Sequence, residues 1–278
     1  MTHTLDILIP TYSRKTALVA TLTSLVGQTF SDFRVVISDQ NEDFDVAKLE
    51  EIQAVANVFE LHGQSLEVRK HLPRQGMAEQ RQFLLDQAQA RYALFIDDDL
   101  IFEPWVIELL ISSIQQAKCG VIGSGVIGLS FLDDVRPNEQ KIELWEGPVE
   151  PEELRPYTPK WERYRLHNAA NLFHVQTRLG ATPEQPLLYK IAWVGGCVLY
   201  DVEKLRSVGG FQFWQELPQN HCGEDVLAQN RVMARYGGAG VLPSGVYHME
   251  LHTTLPDRST DAPYVLDLDD SLAKENNR

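Results

Sequence analysis

The sequence predicts an α/β fold in which a largely parallel sheet carries helices on both faces. Three observations point that way. Short apolar or β-branched runs alternate with stretches whose apolar residues recur at helical spacing, and each apolar run ends in polar or turn-forming residues. The chain has 278 residues, 44% hydrophobic and 9% aromatic, enough to bury a large core.

The apolar runs of the first half are Leu5 to Pro10, Phe33 to Ser38, Leu66 to Leu72 and Tyr92 to Ile96, read as strands. Between them Thr16 to Gln28, Val46 to Val58 and Met77 to Ala90 read as amphipathic helices. Pro104 to Ala117 reads as a further helix, with proline in its first turn, and Val121 to Val126 as a further strand. Residues 5–126 therefore form a nucleotide-binding-type unit. From Phe131 to Pro186 repeated prolines erase the periodicity, which reads as an insertion or a long loop. Ile191 to Tyr200 returns as a strand, Asp201 to Val208 as a short helix, Glu224 to Tyr236 as a longer helix closed by Gly237 and Gly238, and Val241 to Tyr247 as a strand-like run. One domain over residues 1–255 is expected, followed by an acidic, pattern-poor tail over 256–278, partly disordered.

Charge and cysteine usage narrow the partners. The net charge of -14 disfavours a nucleic-acid partner, which needs clustered Lys and Arg. Cys119, Cys197 and Cys222 suggest neither a disulfide framework nor a metal site, so a reducing, cytoplasmic compartment is expected. No apolar run approaches the roughly 18 residues of a spanning helix, and the N-terminus lacks the pattern of an export signal.

In a parallel sheet of this kind ligands bind beyond the carboxyl ends of the strands. The fourth strand ends in Asp97-Asp98-Asp99, carboxylates that repel one another unless a cation lies among them. Mg2+ or Mn2+ bridged to substrate phosphates suits them; an acidic turn that caps a helix is the plain alternative. The first strand ends in Pro10-Thr11-Tyr12-Ser13-Arg14, able to meet base, ribose and phosphate, or simply to turn into a helix. Asp39 closes the second strand, where a carboxylate can accept the ring N–H of uracil or guanine or else make an Asx-turn. After the third strand come Arg74 and Gly76, where backbone can approach a diphosphate, and then Arg81 one helical turn on.

Taken in order, these residues resemble the inverting GT-A glycosyltransferases of family 2, from about Leu5 to Asp99 and again from about Trp193 to His248. The resemblance implies a GT-A, Rossmann-like three-layer sandwich whose residues 127–255 form the acceptor and catalytic half. It also implies metal-dependent transfer of a sugar from a nucleoside diphosphate donor to a hydroxyl acceptor. The donor contacts would be Pro10, Thr11, Tyr12, Arg14, Asp39, Arg74, Gly76, Arg81, Asp97, Asp98, Gly195, Gly196 and Glu224. Gly223-Glu224-Asp225 looks like the family's Glu-Asp motif, which makes Asp225 the general base. Without the resemblance these acids read as first-turn residues that complement the helix dipole. Val208-Gly209-Gly210-Phe211 resembles a segment beside the donor sugar. Asp97, Asp99 and His248 are the implied ligands of Mn2+ or Mg2+, with His252 as the rival histidine.

UDP-sugar is the first expectation and GDP-sugar the second, because Asp39 suits either base. The Gln-x-x-Arg-Trp element of processive members is absent, which favours single addition. The acceptor is a carbohydrate or another hydroxyl compound, including a lipid-linked one reached by peripheral docking at the inner face of the membrane. A sugar-phosphate nucleotidyltransferase would carry a Gly-rich basic loop after the first strand, and a binding-only protein would not need intact Asp97, Asp99 and Asp225. In the insertion, Trp145, Tyr157, Trp161 and Tyr164 can stack on sugar rings or form a small core.

Overall fold

The computed structural model describes residues 3–255 and 257–268. The chain alternates β1 (Leu5–Thr11), α1 (Lys15–Val26), β2 (Phe33–Asp39), α2 (Glu50–Leu61), β3 (Ser65–Lys70), α3 (Met77–Gln87) and β4 (Tyr92–Ile96). A short β5 (Leu100–Phe102) then leads into α4 (Val106–Ala117) and β6 (Val121–Gly123). β1 pairs in parallel with β2 and with β4, so that Leu5 stands opposite both Phe33 and Tyr92.

Later segments complete the sheet: α5 (Asn171–Leu179), β7 (Leu187–Tyr189), β8 (Cys197–Asp201), α6 (Val202–Ser207), β9 (His221–Cys222), α7 (Glu224–Tyr236) and β10 (Gly238–Leu242). The order is β3-β2-β1-β4-β8-β6-β10-β7. β8 runs against both β4 and β6, and β7 against β10; the other pairings are parallel. The expected mostly parallel α/β sheet is what the chain forms.

Strand alternation divides the core. Leu5, Ile7 and Ile9 point to the side packed by α1, α2 and α4. Leu8, Val36, Ala93 and Phe95 point to the side packed by α3, α6 and α7. With both faces covered the central strands are apolar on both sides, which is why they read as continuous runs rather than as alternating ones. Among the described residues no helix is long and apolar enough to cross a membrane.

Three expected boundaries fail for tertiary reasons. Of Ile191 to Tyr200 only Cys197 onward pairs with the sheet; Gly196, at φ +77°, turns the preceding residues toward the strand ends. The run Val241 to Tyr247 is two strands, β10 and β11 (Val246–His248), and β11 pairs with β5 instead of joining the sheet. The tail is not featureless: residues 257–268 include β12 (Thr260–Asp261), paired with β9, and α8 (Ala262–Val265). Residues 256 and 269–278 of the expected disordered tail lie outside the described residues.

The proline-rich insertion does not build a separate core. Trp161, Leu166, Leu172 and Val175 are buried in the same cluster as Tyr189, Val194 and α7. Tyr157 is 90% exposed against Tyr264 of α8, and Trp145 lies under the Lys190 ammonium.

Candidate active site

The carboxyl ends of β1 and β4, the Trp193–Gly196 bend, the N-terminus of α7 and residues 251–255 and 258–261 enclose a cavity of about 510 Å³. Of the expected residues, Pro10, Thr11, Tyr12, Arg14, Arg81, Asp97, Asp98, Asp99, Gly195, Gly196, Glu224, Asp225 and His248 all line it. A Cβ on Gly196 would meet Val126 at 2.7 Å and Asp97 Oδ2 at 3.4 Å, and the positive φ also selects glycine there. At Gly195 a Cβ would meet nothing within 4 Å, so no protein contact demands that glycine.

The acidic triplet is already partly neutralised by its own chain. Thr11 Oγ1 donates to Asp98 Oδ2 at 2.6 Å, and Arg14 donates to Asp99 Oδ2 at 2.6 Å and to Asp98 Oδ1 at 3.3 Å. Burial raises the Asp98 carboxyl to about 6, against the lowering pull of Thr11 and Arg14. Asp99 is likewise raised by burial. Its Oδ1 is buried with no hydrogen-bond partner, whereas Asp97 keeps a third of its side chain exposed. An orphaned buried carboxylate oxygen beside an accessible carboxylate fits Mg2+ or Mn2+, which is commonly held by one or two carboxylates with substrate phosphates completing the shell. Among the described residues no three His, Cys, Asp or Glu side chains converge to hold a metal by themselves.

His248 lies against the triplet with both ring nitrogens facing protein groups. Its Nε2 faces Asp99 Oδ2 at 3.4 Å, while its Nδ1 accepts from the Glu250 amide at 2.8 Å. An accepting Nδ1 leaves the proton of the neutral ring on Nε2, which directs a donor rather than a lone pair at Asp99. The rival His252 does not line the cavity; its carbonyl accepts from Arg14 at 2.8 Å.

Arg81 links the two acidic motifs. From the buried face of α3, its Nε donates to Glu224 Oε1 at 2.9 Å and a terminal nitrogen approaches Asp97 Oδ1 at 3.4 Å. Burial opposes the charge, but Glu224, Asp97 and Asp225 together hold the guanidinium above its ordinary pKa. Asp225 opens α7 beside this bridge, and no cation is within ion-pair distance of it among the described residues. Burial first, and the neighbouring Glu224 second, push its carboxyl up to about 7, against the pull of Arg81. Gly223 caps α7 at φ +73°, and its Cβ position is taken by Asp261 of β12. The arrangement can hold a divalent cation at the β1 and β4 ends and take a proton at Asp225.

Several expected residues do not join this cavity. Asp39 is fully buried and spent on its own chain: Oδ1 accepts from the Asn41 amide and side chain, and Oδ2 from Val46 N and Lys70 Nζ. Arg74 stacks over the Tyr12 ring, 3.5 Å from its centroid, and does not line the cavity. Gly76 is required because a Cβ would meet Gln219 O and His221 Cε1, each at 2.8 Å, and because its φ is +105°. Gly210 of the Val208–Phe211 segment packs on Leu85 and Gln82 of α3, away from the cavity.

Conversely, Met77, Gln80, Arg258 and Asp261 line the cavity without having been singled out as contacts, and Trp193 and Cys222 line it too. Gln80 falls one residue before Arg81, where helical position was a usable signal. Arg258 and Asp261 lie in the tail, whose short elements leave no periodicity to read. Cys222 is no nucleophile: burial first, then Asp261, raises its thiol. His221 is structural, accepting from Ala78 N at Nε2 and donating from Nδ1 to Pro218 O.

Residues 6–175 match the profile described as glycosyl transferase family 2, and the chain belongs to that family. An uncharacterized glycosyltransferase of Haemophilus influenzae is 30% identical over 131 residues, which span 44% of this chain and 41% of that protein. The chain thus matches about two fifths of that relative's length. Among solved structures, residues 1–349 of S. aureus TarS superpose with TM-score 0.55 at 15% identity, covering 89% of this chain and 60% of that one. The mannosyltransferase PcManGT of Pyrobaculum calidifontis, in complex with GDP-Man and Mn2+, gives 0.55 at 14% identity over 92% of this chain and 59% of its own. At such identities the likeness establishes the GT-A fold.

Proposed function

We propose that this chain transfers one sugar from a nucleoside diphosphate sugar to a hydroxyl acceptor, with inversion at the anomeric carbon. The observation that carries the reading is the Arg81 bridge, which brings Asp97 of the triplet and the Glu224-Asp225 pair to one cavity. An acceptor hydroxyl is a poor nucleophile until a base takes its proton, and Asp225, raised to about 7, is poised to accept it near neutral pH. Asp97 and Asp99 hold Mn2+ or Mg2+, which supplies charge for the leaving diphosphate when bound. Thr11 and Arg14 fix Asp98 and Asp99, and Arg81 keeps Asp97 and Glu224 in place. Tyr12 and Pro10 flank the donor.

S. aureus TarS has been solved with UDP and with UDP-GlcNAc, and PcManGT with GDP-Man, which supports a nucleotide-sugar donor without choosing its base. Since the Asp39 carboxylate is used internally, base selection falls to other groups. Calorimetric titration with UDP and with GDP, each with Mn2+ and with EDTA, tests the reading. Metal-dependent binding of one nucleotide, lost in Asp99→Ala, is the expected result; no binding under any condition would sink it.

A further inference from the structure

A second cavity of about 600 Å³ opens beside the first and shares with it Asp97, Trp193, Gly195, Gly196, His248 and Arg258. Its far wall comes from the insertion, which supplies Phe131, Arg136, Tyr164, His167 and Asn168. The side-chain-free Gly195-Gly196 bend lies on the border between the two cavities.

The wall has an aromatic part and a cationic part. Tyr164 stacks on Trp193 at 5.2 Å with 12° between planes, and buried Trp161 braces Trp193 from 4.8 Å. Such a fixed aromatic surface suits the C–H face of a pyranose, and its rings are held by packing before any ligand arrives. The acids on the wall are committed: Glu250 accepts from the Ser130 amide and hydroxyl, and Asp97 faces Arg81. The cations are less so. Arg136 meets Asp134 and Glu139 but keeps 40% of its side chain exposed. Arg258 is exposed and makes no ion pair within the described residues, although its charge is felt by Asp261. An uncommitted guanidinium at the junction of two cavities favours an anionic group on whatever enters the second.

We propose that this second cavity is the acceptor subsite and that it takes a sugar carrying an anionic group, a carboxylate or a phosphate. The ring lies against Tyr164 and Trp193, and the anion lies toward Arg258 and Arg136. The acceptor role rests on the transferase reading; the preference for an anionic sugar does not.

The test uses the full chain and equilibrium binding of methyl β-glucoside, glucuronate and glucose 6-phosphate at constant ionic strength, with and without UDP or GDP and Mn2+. The acids should bind at least about fivefold tighter than the neutral glycoside, as charge-assisted hydrogen bonds on a partly exposed wall would give. Arg258→Gln and Arg136→Gln should each bring that ratio toward one while leaving the glycoside unchanged, and Tyr164→Ala should weaken all three ligands. Comparison of glucuronate with glucose 6-phosphate tells which anion is preferred. Equal affinity for acid and neutral sugars, a preference that survives both arginine replacements, or no sugar binding at all would overturn the proposal. Nucleotide binding in the same titrations separates the two ideas. Nucleotides that bind beside indifferent sugars remove only the acceptor assignment. Selective sugar binding without any nucleotide binding removes the transferase reading instead.

Discussion

Two arginines serve the acids of the first cavity in different ways. Arg14 stands at the end of β1 and closes on Asp98 and Asp99 from the same end of the sheet, so two neighbouring carboxylates share one cation. Arg81 stands on α3 and reaches across to Glu224 of α7 and to Asp97 just past the end of β4, joining elements far apart in sequence. The first cluster leaves one buried oxygen of Asp99 unmatched, which suits a further cation. The second satisfies Glu224 and leaves Asp225 to be raised by burial first and by the neighbouring Glu224 second. Charge is held at one side of the cavity and a proton can be taken at the other, with Asp97 belonging to both.

The contrast can be broken most sharply at the proton-accepting side. Asp225→Asn should lower kcat by about 100-fold to 10,000-fold, the range expected for loss of general-base catalysis, with nucleotide affinity within about threefold of wild type. Steady-state kinetics paired with calorimetry checks this; a large loss of nucleotide binding would move Asp225 to the donor side. Arg81→Met comes next. Removing one partner of a buried ion pair leaves carboxylates uncompensated and should cost about 3 to 5 kcal/mol of stability in urea unfolding. Arg14→Met should cost less, since the Arg14 side chain is 16% exposed against 8% for Arg81 and a bound metal can replace it.

The pH profile sharpens the comparison further. Because Asp225 is raised, it is protonated below about pH 7 and cannot accept a proton there. Activity should climb about tenfold per pH unit on the acid side, level off above about pH 7, and lose this limb in Asp225→Asn. The smallest effect belongs to His248→Ala. A ring that donates to Asp99 without ligating the metal should change the metal requirement by less than about threefold, while Asp99→Ala abolishes it. Equal losses in the two variants would restore His248 as a ligand.

The site was legible in the sequence where it is built from strand ends. Thr11, Arg14, Asp97, Asp98 and Asp99 follow short apolar runs, and a parallel sheet brings such ends to one edge whatever the loops do. Asp39 shows the limit of that rule. It occupies the right strand end, but Asn41, Val46 and Lys70 consume its oxygens, and hydrogen-bond competition of this kind leaves no trace in residue order. Gly76 was marked correctly as a special backbone position, but its packing on the His221 segment is a long-range contact that the sequence did not show.

By itself the sequence determined the alternation of strands and helices, the two-sided burial of the central strands, and the acidic triplet as a candidate cation site, whereas Asp225 was marked only through the family resemblance of Gly223-Glu224-Asp225. The first three follow from local periodicity and from residue chemistry at fixed positions. Only the tertiary structure decided that Arg81 joins Asp97 to Glu224, that β8 enters between β4 and β6 in reverse, that β11 leaves the sheet to pair with β5, and that Arg258 and Asp261 return from the tail to line the cavity. Those outcomes depend on which distant surfaces bury one another, a property of the packed whole that no local spacing encodes.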